Sequence, residues 1–445
     1  MSGPQAVREV RDVYGRRYRV GETDQALLGR SRRWMVWLSW AAMLAAGVQQ
    51  YGFGAVVPVL TRSQGWAAGD VVWALALWTV FQAGTAFPAA WLRDRGLLPP
   101  AAAVVTGGVL CAIGLVTLGH ATDLVVVYLG YSVLGGIGAG LVYAASVGTV
   151  VRWFPERITS RVGWVSGAFA YGCVPFVLLA GFLLHTANRA AFLDTAGVLV
   201  LAVIVISGVA LRDPPKNWWP ADVEPRAWAL HKARRRNQSA VRQYLPVEAL
   251  RCGAVVPMFL AVALAAAVSL FDLAYLAAFV AENGGGPVLA AVSLGVLAAC
   301  TGGGRVVVGW ISEQVGRRRT WYLALLAGSA AQLVLLWGGA HQQPAALLLG
   351  ACLAGLGTGS CYTLLVGLVR EYFGEESGLQ NFGVLYSAKA VGGLLGVGVA
   401  AIVVASHGYA AAFVGASLIG LTGALLTKAL VQPGRPNLLP GMVLR

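Results

Sequence analysis

The apolar positions of this chain fall into long unbroken runs separated by short polar joints. Twelve runs are long enough to cross the hydrocarbon of a bilayer, which takes about 20 residues of helix. They cover 35–60, 69–91, 100–119, 122–150, 160–185, 190–211, 254–280, 286–311, 319–338, 344–369, 380–406 and 409–431. A membrane-spanning barrel is disfavoured, because its strands alternate polar and apolar residues, whereas Val198–Val209 is almost continuously apolar. The pattern predicts an all-α membrane protein of twelve transmembrane helices. It divides into a polar N-terminal segment (1–34), a six-helix bundle (35–211), a linker (212–253), a second six-helix bundle (254–431) and a tail (432–445). The first 33 residues are Arg-rich without an apolar core, so no cleavable signal peptide is expected.

Composition agrees with the pattern. Of 445 residues 58% are hydrophobic and 12% charged, with mean hydropathy +0.69, against about a quarter charged in soluble proteins. A soluble enzyme, a disordered chain and a disulfide-rich secreted domain are excluded. Five of the six cysteines lie in the apolar runs without metal-ligand spacing, so packing is expected for them and no cofactor is implied. The net charge of +14 suggests an anionic partner until the charges are placed. Residues 1–33 carry eight Lys/Arg and 212–251 carry nine, and the other joints on that side bring the total to 29 of 33. The opposite joints hold only Arg62 and Arg189. The positive-inside rule then puts both termini and the linker in the cytoplasm of a multi-pass protein. Topology accounts for the excess, and no nucleic-acid partner is needed. Two cations remain, Arg305 and Lys389, both inside predicted helices.

The chain repeats itself. Leu134-Gly135-Gly136-Ile137-Gly138-Ala139-Gly140-Leu141-Val142-Tyr143 and Leu353-Ala354-Gly355-Leu356-Gly357-Thr358-Gly359-Ser360-Cys361-Tyr362 share Leu, three glycines and Tyr at an offset of 219. Trp91-Leu92-Arg93-Asp94 meets Trp310-Ile311-Ser312-Glu313 at the same offset, and span five meets span eleven at 220. Two six-helix units in one orientation form a parallel repeat, the arrangement of transporters whose site lies near the midplane between the halves.

The 6+6 layout and the joints Trp91-Leu92-Arg93-Asp94-Arg95-Gly96 and Gly309-Trp310-Ile311-Ser312-Glu313-Gln314-Val315-Gly316-Arg317-Arg318 resemble the major facilitator superfamily. That resemblance implies a latch of Asp94, Arg95, Glu313 and Arg317, in which the acids accept hydrogen bonds from helix N-termini or Arg across the halves. Plain topogenic charge is the alternative reading. Gly138-Ala139-Gly140-Leu141-Val142-Tyr143, Val147 to Pro155 and Asn381 to Ala390, with Tyr386-Ser387-Ala388-Lys389-Ala390, are similar to the oxalate:formate antiporter family, a bacterial branch allied to the monocarboxylate transporters. That resemblance implies exchange of small carboxylates across a bacterial-type plasma membrane. It also implies substrate contacts from Trp78 and Gln82. Thr358 stands where the family carries a large aromatic, which suggests a pocket wider than oxalate requires.

A cation at the bilayer centre disfavours insertion by about 2.5–3.5 kcal/mol. Lys389 lies about ten residues into its run, roughly 15 Å deep at 1.5 Å per residue. Arg305 is nearer its helix end, where snorkelling to the interface competes with ligand binding. The repeat pairs Arg305 with Ala86 and Lys389 with Phe169, so the architecture itself requires neither cation. One wall is thus positive. The other is neutral and aromatic, read from Gln49, Gln50, Tyr51, Trp78, Gln82, Tyr143 and Tyr171, with Tyr362 as the repeat mate of Tyr143. Such a site suits small carboxylate anions, gripped by the Arg fork and the Lys point charge. Asp272 is the rival. Paired with Arg305 it would neutralise that cation or carry a proton, turning the reading toward proton-coupled uptake of lactate or pyruvate. A membrane enzyme is disfavoured because no nucleophile–base pair or paired carboxylates occur in the runs, and a channel by the duplicated halves. The Trp218-Trp219-Pro220 and Lys232 to Arg236 stretch is expected to contact membrane lipids. The carrier is expected to work as a monomer.

Overall fold

A computed structural model describes residues 7–11, 16–230 and 237–434. Among the described residues, nine helical spans long and apolar enough to cross a membrane are α2 (Ala68–Asp94), α3 (Pro100–His120), α4 (Leu124–Trp153), α5 (Ile158–Leu183), α6 (Thr186–Gly208), α7 (Val255–Glu282), α8 (Pro287–Val315), α9 (Arg317–Ala340) and α10 (Pro344–Phe373). The first crossing, α1, is a bent pair, Arg33–Tyr51 and Phe53–Gln64, meeting at 41°. The last helix, Gly378–Lys428, has 51 residues, or about 76 Å at 1.5 Å per residue, more than twice a hydrocarbon core of about 30 Å. It breaks at Gly408, whose φ of 76° and ψ of 176° are not helical. Glycine tolerates that conformation because it lacks the Cβ that makes it costly. The break separates α11 (378–407) from α12 (409–428), giving twelve crossings among the described residues.

The two sets of six meet along two long seams, α5 against α8 and α2 against α11. Small residues make the seams close. A Cβ on Gly167 would stand 2.6 Å from the Gly302 carbonyl oxygen, and one on Gly163 would stand 2.5 Å from that of Arg305. The same seams close toward the face opposite the termini, where a Cβ on Gly398 would meet the Trp73 ring at 2.5 Å and one on Gly181 would meet Ala291 at 2.7 Å. Backbones at this distance replace hydrophobic drive with packing, as helices in lipid must.

Outside the helices the structure departs from expectation. Strands β1 (Arg8–Arg11) and β2 (Arg17–Val20) pair antiparallel. Trp218 and Trp219 are buried rather than lipid-facing. Trp219 packs at a tilt against Tyr18 of β2 at 4.5 Å, and Trp218 packs edge-on to Trp153 at 5.0 Å. Indole rings find more contact in this cap than at a headgroup layer, because their N–H groups are also satisfied, Trp218 by the Glu22 carbonyl and Trp219 by that of Val223. The Lys232 to Arg236 run lies outside the described residues, as does most of the tail beyond residue 434.

Candidate functional site

Two glycine-flanked breaks bend α1 around the short turn Val48–Tyr51. Its backbone at Gly47 lies against Phe169 of α5, and the bend aims Gln50 and Tyr51 inward, where both are buried. From the other half α8 brings Arg305 and α11 brings Lys389, each 1% exposed. Arg305 therefore does not snorkel. Its Nε donates to the Gly359 carbonyl at 3.0 Å, Nη1 to the Ser166 carbonyl at 2.5 Å and Nη2 to Tyr51 Oη at 2.9 Å. Lys389 Nζ donates to Gln50 Oε1 at 2.7 Å and to Gln82 Oε1 at 2.8 Å.

Tyr362 lies between the two cations. The Arg305 guanidinium is 5.2 Å from its ring centre and the Lys389 ammonium 5.5 Å, within the range of cation–π attraction. Neither cation forms an ion pair among the described residues. Tyr143 packs edge-on to Phe169 at 5.6 Å and stacks on Tyr386 at 5.1 Å. The hydroxyls of Tyr143 and Tyr362 are buried without a hydrogen-bond partner. An unmade buried hydrogen bond carries its full desolvation cost, which makes these hydroxyls, beside two cations without an acidic partner among the described residues, the candidate site.

Several candidates stand elsewhere. Tyr171 leaves the cluster: its hydroxyl accepts from Trp40 Nε1 at 2.5 Å on the half-buried outer side of α5. The helical turn between Phe169 and Tyr171 rotates the second ring away from the centre. Asp272 does not pair with Arg305. It is fully buried inside the second half, where Gln332 Nε2 of α9 donates to Oδ2 at 2.9 Å and Oδ1 has no partner. Trp78 forms wall rather than donor, because its Nε1 is taken by Gln49 Oε1 at 2.9 Å. Its ring still lies 5.6 Å from Lys389 Nζ.

One contact was not singled out by sequence. Tyr386 touches Gln82, whose Nε2 donates to its hydroxyl at 3.1 Å, and it stands 5.7 Å from Lys389 Nζ. The signal was its position three residues before Lys389, which shares a helix face. Gln49, read from sequence as part of the neutral wall, accepts from Trp78 Nε1 instead.

On the terminal face the residues expected to form a latch are only partly brought together. Asp94 Oδ1 pairs with Arg152 at 2.7 Å, and Oδ2 accepts from Gln380 Nε2 of α11 at 2.8 Å. Glu313 Oε1 accepts the Ser160 backbone N–H, in the first turn of α5, at 3.0 Å. Arg317 Nε reaches Thr159 Oγ1 at 3.0 Å and its guanidinium pairs with Glu371. Arg95 takes no part, lying 3.9 Å above the Trp91 ring. Its place is held by buried Arg93, which donates to the Ala144 and Ala145 carbonyls at 3.0 and 2.9 Å and pairs with Asp213 at 2.8 Å. Two residues of helical rotation, about 200° at 3.6 residues per turn, separate the two arginines and decide which one turns inward.

A family model described as Major Facilitator Superfamily matches residues 39–340 and 304–441. The oxalate:formate antiporter of Oxalobacter formigenes is 23% identical over 429 residues, covering 92% of this chain and 94% of that one. Monocarboxylate transporter 11 of Homo sapiens is 29% identical over 382 residues, covering 81% of this chain and 75% of that one. A crystal structure of the human organic anion transporter MFSD10 superposes with a TM-score of 0.61 at 15% identity, over 89% of this chain and all of that one, a likeness of fold.

Proposed function

The chain belongs to the major facilitator superfamily, a family of transporters and not of enzymes, and on that footing we propose that it carries small carboxylates by alternating access. The halves 35–211 and 254–431, joined by the linker 212–253, rock about the buried cluster. Both termini face the cytoplasm, by the charge asymmetry of the joints, and the monomer is the working unit in the plasma membrane. Arg305 and Lys389 bind the substrate's carboxylate groups, with donors from Tyr143 and Tyr362. Gln50, Tyr51, Gln82 and Trp78 complete the wall. The observation that carries the reading is the convergence of two buried cations on Tyr362 with no acidic residue paired to either. The names of the relatives, oxalate:formate antiporter and monocarboxylate transporter, support the substrate class.

Exchange of oxalate and formate is the mode we infer, because a cation with no anion resists crossing an apolar midplane. Asp94 and Glu313 latch the cytoplasmic side between cycles. Proton-coupled symport of lactate or pyruvate through Asp272 is the second reading, kept by one observation: a buried carboxyl with a single partner is a place to hold a proton. Proteoliposomes decide between them. Labelled oxalate outside should enter when oxalate or formate is loaded inside, without response to a pH gradient, and Lys389→Ala should abolish that entry. Uptake driven by an inward proton gradient, or full activity in Lys389→Ala, would overturn the carboxylate-exchange reading.

A further inference from the structure

All the formal charge of the cluster comes from the second half and most of its acceptors come from the first. Lys389 of α11 is bridged to α1 and α2 through two side-chain carbonyl oxygens, Gln50 Oε1 at 2.7 Å and Gln82 Oε1 at 2.8 Å. Arg305 of α8 is bridged to α1 and α5 through Tyr51 Oη at 2.9 Å and the Ser166 carbonyl at 2.5 Å. Four hydrogen bonds from two cations thus cross the interface along which the halves must part, and every acceptor is neutral.

A carboxylate oxygen and an amide oxygen compete for the same ammonium protons. The carboxylate wins on charge, since it adds the Coulomb attraction of a full negative charge to the hydrogen bond, whereas the amide oxygen offers only a dipole. The amides are nonetheless covalently present and buried at hydrogen-bond distance. Gln82 is also steered: its Nε2 donates to Tyr386 Oη at 3.1 Å, which turns Oε1 toward Lys389. Tyr386 and Lys389 are one helical turn apart on α11, so the same face that presents the cation also orients its acceptor.

We propose that Gln50 and Gln82 act as built-in substitutes for the substrate carboxylate at Lys389, and that this lets the carrier reorient without cargo. The inference rests on the carboxylate reading above. It changes the expected transport mode: exchange is favoured but not obligatory, and Gln82 sets the ratio of net movement to exchange. During exchange the carboxylate displaces the amide oxygens from Nζ. During return without cargo the amides solvate the ammonium across the midplane, so the cation is never bare.

Two substitutions move the ratio in opposite directions, which a general packing defect would not. Proteoliposomes loaded with radiolabelled oxalate, formate or lactate are assayed for efflux into buffer without substrate (net) and into buffer containing the same anion (exchange). Gln82→Leu removes one substitute, and the net-to-exchange ratio should fall about tenfold, the scale of a hydrogen bond to a charged group. Gln82→Glu supplies a tethered carboxylate, and the ratio should rise while the half-saturating substrate concentration increases. An unchanged ratio in Gln82→Leu, or a fall in both variants, overturns the proposal while leaving carboxylate transport standing. Absence of flux of all three anions in the unaltered protein overturns the carboxylate reading and this inference with it.

Discussion

Glu313 at the end of α8 accepts the backbone N–H of Ser160 in the first turn of α5 at 3.0 Å. Its repeat mate Asp94, 219 residues earlier, accepts from the side chain of Gln380 in the first turn of α11 at 2.8 Å. The duplicated architecture thus closes the terminal face twice, each time with a carboxylate of one half against a helix start of the other. The two closures differ in chemistry. A backbone N–H with the helix dipole behind it holds Glu313, and a side-chain amide reaches Asp94 across the halves.

Glu313→Gln should loosen the first closure while keeping a hydrogen-bond acceptor. A carboxylate at a helix N-terminus contributes about 0.3–1 kcal/mol, so the population open to the terminal face should rise about two- to fivefold. Thiol labelling of a cysteine introduced near Ser160 reports that population. A labelling rate no higher than in the parent protein refutes the role.

Tyr362→Phe removes a hydroxyl that has no hydrogen-bond partner among the described residues. Stability in detergent should stay level or rise slightly, because a buried unsatisfied group is removed. Affinity for the transported carboxylate should fall about tenfold, the effect of one hydrogen bond to a charged group. Unchanged affinity in a thermal-shift titration would show that the hydroxyl does not meet the substrate.

Asp213 binds Arg93 at 2.8 Å, Thr149 Oγ1 at 2.8 Å and Arg152 just beyond the end of α6. Burial alone would raise its carboxyl, but the two guanidiniums outweigh burial and hold it below the usual value of 3.8. A carboxyl lowered in the folded state stabilises at pH above its unfolded value and loses that contribution as pH falls through its folded one. Asp213→Asn should therefore cost about 3 kcal/mol near neutrality, the scale of breaking a buried pair. The gap in melting temperature between variant and parent should narrow below about pH 4. A gap independent of pH would assign the loss to packing.

Asp272→Asn preserves an acceptor for Gln332 and removes the proton-carrying group. Carboxylate exchange should continue at a rate within about twofold of the parent, as expected of a change outside the binding contacts. Abolished uptake with loss of pH-gradient driving would favour the symport reading.

The run lengths alone determined the helical membrane fold, because bilayer thickness and the need to satisfy every backbone polar group leave few options. The offset of 219 determined that there are two matching halves, and the rarity of charge in apolar runs singled out Arg305 and Lys389. These signals are one-dimensional and survive without coordinates. Which way a side chain turns is not. Arg93 rather than Arg95 faces inward, Tyr171 leaves the centre for Trp40, and Asp272 bonds to Gln332 rather than to Arg305. Each depends on helix rotation, and near the centre on breaks such as the 41° bend of α1, where a small change of phase moves a side chain to another face. The burial of Trp218 and Trp219 against β2 likewise required contact between segments about 200 residues apart. Only the tertiary structure brought Gln50, Gln82 and Tyr386 around Lys389, since packing between the halves has no period in the chain.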